Sequence, residues 1–60
     1  MFTATEKKQA VERELAYRHR VYGRWVTEGK MTQKLADRQI KVFEEILADY
    51  VKAEQRERLI

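Results

Sequence analysis

Few side chains in this sequence could carry out covalent or acid–base chemistry. The chain has no cysteine and no serine, so the two commonest nucleophiles are missing. His19 is its single histidine, and the positions one helical turn away, Leu15 and Gly23, can neither bind a metal nor orient an imidazole. We therefore expect no metal site and no nucleophilic catalysis.

The densest group of carboxylates is formed by Glu44, Glu45 and Asp49. General acid and base catalysis needs two carboxylates that converge on a cleft, and a single exposed helix does not form one. We interpret these residues as part of a solvated outer face. Together with the missing nucleophiles, this predicts a protein that is not an enzyme and that uses no cofactor.

The remaining chemistry is electrostatic attraction to phosphates. The formal net charge is +3, and residues 13–41 include eight basic and three acidic side chains, so positive charge is concentrated in the middle of the sequence. Arginine and lysine neutralise phosphates, and an aromatic ring among them can stack on a base. The alternative interpretation is a solvated arginine-rich face, which would show no salt-dependent binding. The candidate nucleic-acid contacts are Arg13, Tyr17, Arg20, Arg24, Lys30 and Lys34.

Two helices must position these groups. Thr3 and Glu6 have the spacing of a capping box. Gly29 can adopt the left-handed conformation that ends a helix, and Thr32 can cap the next one. The sequence has no proline and two glycines, so little else interrupts the helices. The predicted elements of a single domain covering residues 1–60 are helix 1 at about 4–27, a turn at 28–32 and helix 2 at about 33–58.

The apolar residues divide unequally between these helices. Those of helix 1 form a narrow stripe at three- and four-residue intervals, whereas those of helix 2 cover about half of its circumference. One antiparallel neighbour cannot cover so wide an arc. The predicted fold is an all-α antiparallel two-helix hairpin that dimerises into a four-helix bundle. The stripe of helix 1 consists of Val11, Leu15, Tyr22, Trp25 and Val26, and the expected dimer or partner interface on helix 2 consists of Leu35, Val42, Ile46, Phe43 and Tyr50.

A turn centred near Lys30 also predicts which residues face each other, because the numbers of facing residues then sum to about 60. Arg18 lies opposite Phe43 in this register. Its guanidinium can stack on Phe43 or Tyr22, reach a carboxylate such as Glu14, or await an acidic partner at an interface. The other predicted pairs are Lys7 with Glu54, Leu15 with Ile46 and Leu47, and Tyr22 with Gln39.

Composition indicates a soluble chain in a reducing compartment. Charged residues make up 38% of it, and no apolar run approaches the roughly 18 residues of a membrane span. The first eight residues lack the apolar core of a signal peptide. The missing cysteines give no sign of an oxidised scaffold. We expect a cytoplasmic protein that does not associate with membranes.

The run from Arg18 to Gln33, with Ala36–Ile40 and Ile46–Tyr50, resembles a group of short helical proteins carried by phages and prophages of proteobacteria. These proteins share an arginine-tyrosine-x-arginine-x-valine run, a glycine-basic-methionine turn, and a long second helix that ends in an aspartate-tyrosine pair. They often carry proline after the tyrosine, where this chain has Gly23. The resemblance covers most of the chain and implies a small accessory protein of a mobile element, with no specific activity.

Two functions remain open at this point. The favoured one is a small non-enzymatic interaction protein, homodimeric and able to bind a protein of a phage or its host, because a wide apolar surface is costly to leave exposed. The alternative is a nucleic-acid-binding accessory protein that uses the basic surface near the turn. The expected partners are a second copy of the chain, another protein and, in the alternative, nucleic acid.

Overall fold

The protein is a hairpin of two long helices. In the computed structural model, which describes residues 1–59, α1 spans Ala4–Thr27 and α2 spans Gln33–Arg58. All regular structure in this part of the chain is helical. The two helices pack against each other, which confirms the predicted all-α hairpin. Their bounds agree with those that the capping residues predict.

Side-chain caps determine where each helix begins. The Thr3 hydroxyl accepts from the backbone N–H of Glu6 at 3.1 Å, and the Glu6 carboxylate accepts from the N–H of Thr3 at 3.2 Å. These two bonds complete the predicted capping box. At the start of α2, the Thr32 hydroxyl accepts from the N–H of Leu35 at 3.1 Å. Each cap satisfies a backbone donor that has no acceptor within its own helix.

Backbone geometry at Gly29 ends α1. Gly29 has a φ of 76°, in the left-handed region that glycine adopts without strain. Its N–H donates to the carbonyl of Val26 at 3.1 Å, and the N–H of Lys30 donates to the carbonyl of Trp25 at 2.8 Å. This pair of bonds is a Schellman motif, which satisfies carbonyls that the helix end leaves free. The predicted role of Gly29 is therefore confirmed.

The core is a thin seam between the two helices. Its most buried apolar residues are small or β-branched, since Ala4, Val21 and Ala36 are 4%, 4% and 3% exposed. The larger apolar side chains of the seam are half-buried, because each is covered by the facing helix and not by a third layer. These half-buried residues are Val11, Leu15, Tyr22, Val26, Ile40, Phe43, Leu47 and Tyr50.

Trp25 is the most exposed member of the predicted stripe of α1. It is 38% exposed, and its ring centre lies 5.9 Å from that of Tyr22 on the same helix. Val21, which the stripe did not include, is buried instead. Val21 and Trp25 adjoin each other at the edge of the stripe, one turn apart.

Candidate interaction surface

The most exposed apolar side chains of α2 lie along one of its long edges. Leu35 and Val42 are 46% and 45% exposed, and Ile46 is half-buried. Spacings of seven and four residues place these three side chains in a row along the helix. We call Leu35, Val42 and Ile46 the apolar flank.

The flank stays exposed because α1 covers a different strip of α2. That strip contains Ala36 and Phe43, and the flank is rotated from it by roughly a quarter of a turn about the helix axis. A single narrow neighbour does not reach so far around the helix. The structure thus divides the five predicted interface residues between the flank, which holds Leu35, Val42 and Ile46, and the seam, where Phe43 and Tyr50 are half-buried.

The opposite edge of the hairpin is a groove that both apolar and charged side chains line. Its volume is about 310 Å³, and the side chains that line it include His19 of α1 and Asp37, Lys41 and Glu44 of α2. Gly23 also lines it, and a Cβ placed on this glycine would meet no atom within 4 Å. Leu35 and Val42 of the flank are exposed, whereas Tyr22, Val26 and Ile40 of the groove are half-buried within the hairpin, so the flank has the apolar side chains that still lack cover. The flank is therefore the better association surface.

Arg18 lies in the middle of the seam and is held there by contacts within the hairpin. Its guanidinium carbon is 4.0 Å from the centre of the Phe43 ring, which confirms the predicted pairing of these residues. Its Nη1 donates to the Glu14 carboxylate at 2.7 Å and to the Glu14 carbonyl at 3.2 Å. The hydrogen bond to the Glu14 carboxylate raises the pKa of Arg18 above its ordinary value. These contacts account for Arg18 without an acidic group from another molecule.

Charged and polar side chains close the open end of the hairpin. Glu54 of α2 is 6% exposed, and its carboxylate accepts from the Thr5 hydroxyl at 2.7 Å and from the Lys8 ammonium at 3.0 Å. The hydrogen bond from Thr5, followed by that from Lys8, lowers the pKa of Glu54. The Glu57 carboxylate accepts from the N–H of Ala4 at 3.2 Å. We call Thr5, Lys8 and Glu54 the open-end cluster.

The predicted pairing of Lys7 with Glu54 is wrong. Lys8 forms the ion pair, and Lys7 is exposed. Successive residues of a helix project 100° apart, so a register known to within one residue does not decide which of two adjacent lysines faces the partner helix. Lys8 lies three and seven residues before Val11 and Leu15, on the same face as both. Lys7 lies four and eight residues before the same two residues and meets the same rule, so the sequence carries no signal that separates the two lysines.

The candidate nucleic-acid contacts do not form one continuous surface. All six are exposed. Four of them follow three- and four-residue intervals on the outer face of α1, whereas Lys34 lies on the outer face of α2, on the far side of the hairpin. On the outer face of α1, the Arg20 guanidinium lies 5.7 Å from the centre of the Tyr17 ring.

Glu28 neutralises part of the basic charge near the turn. Its carboxylate lies 2.9 Å from the Lys30 ammonium and 4.0 Å from the Arg24 guanidinium. A phosphate that bound there would compete with this carboxylate for both cations. The turn end is therefore a weaker anion site than the count of basic residues suggests.

The hairpin exposes more surface than a compact protein of its size. It measures 48 × 16 × 14 Å, with a radius of gyration of 14.1 Å, whereas a compact chain of this length has one of about 10 Å. Its accessible area is 5058 Å², whereas a compact monomer of this mass exposes about 4,200 Å². The excess, on the order of 900 Å², is close to the roughly 800 Å² that each partner buries in a standard interface.

These features define the class of the protein as a two-helix hairpin with an exposed apolar row on its second helix. Within residues 1–59, no three histidine, aspartate or glutamate side chains come close enough to hold a metal ion. Over the same residues, neither helix combines the length and the apolar character needed to cross a membrane. Comparison of the chain with protein-family models, curated proteins and solved structures gave no match.

Proposed function

We propose that this protein is a small non-enzymatic interaction protein that acts as a homodimer, in which two hairpins form a four-helix bundle. The observation that supports this most directly is the apolar flank. Exposed rows of aliphatic side chains mark association surfaces. A second copy that covers the flank supplies the third layer that the seam lacks.

The thin core of the single hairpin supports the same proposal. Among the residues that the structure describes, no large side chain is fully buried. Chains of about this length are marginally stable even when they are compact, and oligomerisation is one of the few ways for them to gain stability without disulfides or metals. The excess accessible area matches what one partner of a standard dimer buries.

A matched pair of substitutions tests this proposal. Val42 and Val51 are 45% and 37% exposed on the same helix, and their separation of nine residues places them on opposite edges. We expect sedimentation equilibrium at tens of micromolar to give a dimer for the wild type and for Val51→Glu, and a monomer for Val42→Glu. A wild-type mass of 7.3 kDa at that concentration contradicts the proposal. Equal effects of the two substitutions would exclude the flank as the interface.

Nucleic-acid binding is a second candidate function, favoured by the outer face of α1. Among residues 1–59, no carboxylate lies within 4.0 Å of Arg13 or Arg20, so both cations are accessible to phosphates. We would measure binding of fluorescent single- and double-stranded oligonucleotides over a range of salt concentrations. The variant Arg13→Gln/Arg20→Gln should lower the log–log salt slope by about 2, whereas Arg56→Gln on α2 should not. No binding at low salt rejects this function.

We further propose that the homodimer serves as an accessory protein of a phage or prophage and binds a protein of the phage or its host. The support for this setting is the resemblance carried by the run from Arg18 to Gln33. Val42→Glu and Val51→Glu would serve as the two baits in affinity capture from infected cells. A partner that Val51→Glu retains and Val42→Glu loses requires the flank, directly or through the dimer, whereas the absence of any specific partner in both captures contradicts this setting.

A further inference from the structure

We infer, on the basis of the proposed homodimer, that the two copies pack α2 against α2 in antiparallel orientation, with Arg38 of each copy beside the partner's Glu45. Three observations lead to this arrangement. They are the pattern of the apolar flank, the charges along its border, and the uneven distribution of charge along the hairpin.

The flank is part of a longer row of residues along the same edge of α2. Positions on this edge alternate at intervals of four and three residues, which is the spacing of helices that pack side by side over several turns. The apolar part of the pattern runs from Leu35 to Ile46, and the exposed carboxylate of Asp49 ends it. The positions of the pattern, in order, are Leu35, Gln39, Val42, Ile46, Asp49 and Ala53.

Antiparallel packing brings the apolar part of this pattern against itself. A two-fold axis that passes between residues 40 and 41 places Leu35 beside the partner's Ile46, and Gln39 beside the partner's Val42. Parallel packing in register would instead place Asp49 beside the partner's Asp49, and two exposed carboxylates would repel each other.

The same axis places Asp49 near the amino end of the partner's α2. The first turn of α2 contains no acidic residue of its own. A carboxylate is stabilised at the amino end of a helix by the free N–H groups and the helix dipole. Asp49 would therefore supply to the partner the negative charge that this turn lacks, and the symmetry repeats the contact.

Arg38 and Glu45 are two of the charged residues that border the flank. Both are exposed and line one shallow depression with Val42, as do Lys34, Asp37 and Lys41. Seven residues separate Arg38 from Glu45, which is about 10 Å along the helix, so they are too far apart to pair within one chain. Within residues 1–59, neither has an oppositely charged group within 4.0 Å. Antiparallel packing brings the same border of the two α2 helices together, so each of these residues gains an opposite charge on the partner.

The charge along the whole hairpin favours the same orientation. Residues 13–41 have eight basic and three acidic side chains, whereas the rest of the chain has five basic and seven acidic ones. Parallel hairpins would bring two basic turn ends together. Antiparallel hairpins separate the turn ends and place each one beside the more acidic part of the partner.

Charge reversal at the border of the flank tests the orientation. We expect Arg38→Glu and Glu45→Arg each to weaken dimerisation on the order of tenfold, because each places like charges together twice. The double variant Arg38→Glu/Glu45→Arg should return to within about twofold of the wild-type dissociation constant. Arg20→Glu on the outer face of α1 and Glu44→Arg on the groove make the same charge changes away from the flank, and they should leave the dissociation constant within about twofold.

A distance measurement gives a second test that does not depend on weakened binding. The chain has no cysteine, and Lys52 is exposed, so Lys52→Cys accepts a single spin label. An antiparallel dimer with its axis between residues 40 and 41 separates the two labels by about 35 Å along the helices. Parallel helices would hold them within about 20 Å of each other.

The outcomes separate the orientation from the dimer itself. A wild-type monomer at tens of micromolar overturns the proposed function and the orientation together. A dimer that Val42→Glu disrupts, but with labels at the short distance or without recovery in the double charge-reversal variant, overturns the antiparallel orientation and leaves the homodimer in place. Recovery in the double variant together with the long distance supports both.

Discussion

The two ends of the hairpin are held together by different means. At the turn end, closure comes from the backbone, since Gly29 adopts a φ of 76° and the Schellman bonds end α1. At the open end, closure comes from the open-end cluster and from the bond between Glu57 and the N–H of Ala4. Within residues 1–59, all hydrogen bonds between the two helices lie at this end.

This difference follows from the distance to the turn. Near the turn, the short connection already limits how far the helices can slide or separate, so apolar contacts without directional preference are sufficient there. Far from the turn, an apolar seam tolerates small slips, whereas a hydrogen-bonded ion pair is satisfied in one register. The hairpin thus relies on chain connectivity at one end and on polar specificity at the other.

We expect the largest loss of stability from a substitution in the seam, which lies between the two ends of the hairpin. Phe43→Ala removes the half-buried ring under Arg18, and we expect it to lower the free energy of unfolding by about 2–4 kcal/mol in urea titrations. Val51→Ala, on an exposed edge, should cost less than about 0.5 kcal/mol. If the two variants unfold at the same urea concentration, the seam contributes little and the two closures alone stabilise the hairpin.

The next effect tests the turn end. Gly29→Ala forces a residue with a Cβ into a φ of 76°, which should cost about 1–2 kcal/mol in thermal unfolding. Gly29→Asn is the control, because asparagine tolerates the left-handed conformation better than alanine, and it should lose less stability. Equal melting temperatures for Gly29→Ala and the wild type would mean that backbone geometry does not close this end.

The turn end was also the easier end to predict from the sequence. Gly29 and Thr32 act through local backbone bonds, so their types and spacing alone predict where α1 ends and where α2 begins. The open end depends on contacts between residues about fifty positions apart, and a register good to one residue could not choose between Lys7 and Lys8. The flank was predicted from the wide apolar arc of α2. What covers it could not be predicted, because the sequence of one chain does not specify its partner.

Replacing Gly23 should change stability less than replacing Gly29 does, and in the opposite direction. It lies inside α1 on the groove, and a Cβ there meets nothing within 4 Å. Gly23→Ala should therefore raise the free energy of unfolding by about 0.5–1 kcal/mol, since alanine loses less backbone entropy in a helix. A loss of stability in the same thermal unfolding experiments would show that another molecule or another copy approaches the groove at this glycine.

Replacing Glu54 should change stability at neutral pH the least of these substitutions, and it tells most about the open end. Glu54→Gln keeps an acceptor oxygen for the Thr5 hydroxyl but removes the charge that faces Lys8. Because the hydrogen bonds from Thr5 and Lys8 lower the pKa of Glu54 in the folded chain, its contribution to stability is complete above the pKa of the unfolded chain, about 4.3. The contribution is then lost as the pH falls through the lower folded pKa.

Melting temperatures from pH 7 to pH 2 should therefore separate Glu54→Gln from the wild type. The wild type should lose stability more steeply than Glu54→Gln below about pH 4.5, so the gap between their melting temperatures narrows as the solution becomes more acidic. Glu44→Gln, which removes a carboxylate on the groove and outside the cluster, should keep the wild-type slope. If Glu54→Gln also follows the wild-type slope, then charge does not close the open end, and the contrast between the two ends reduces to the geometry of Gly29.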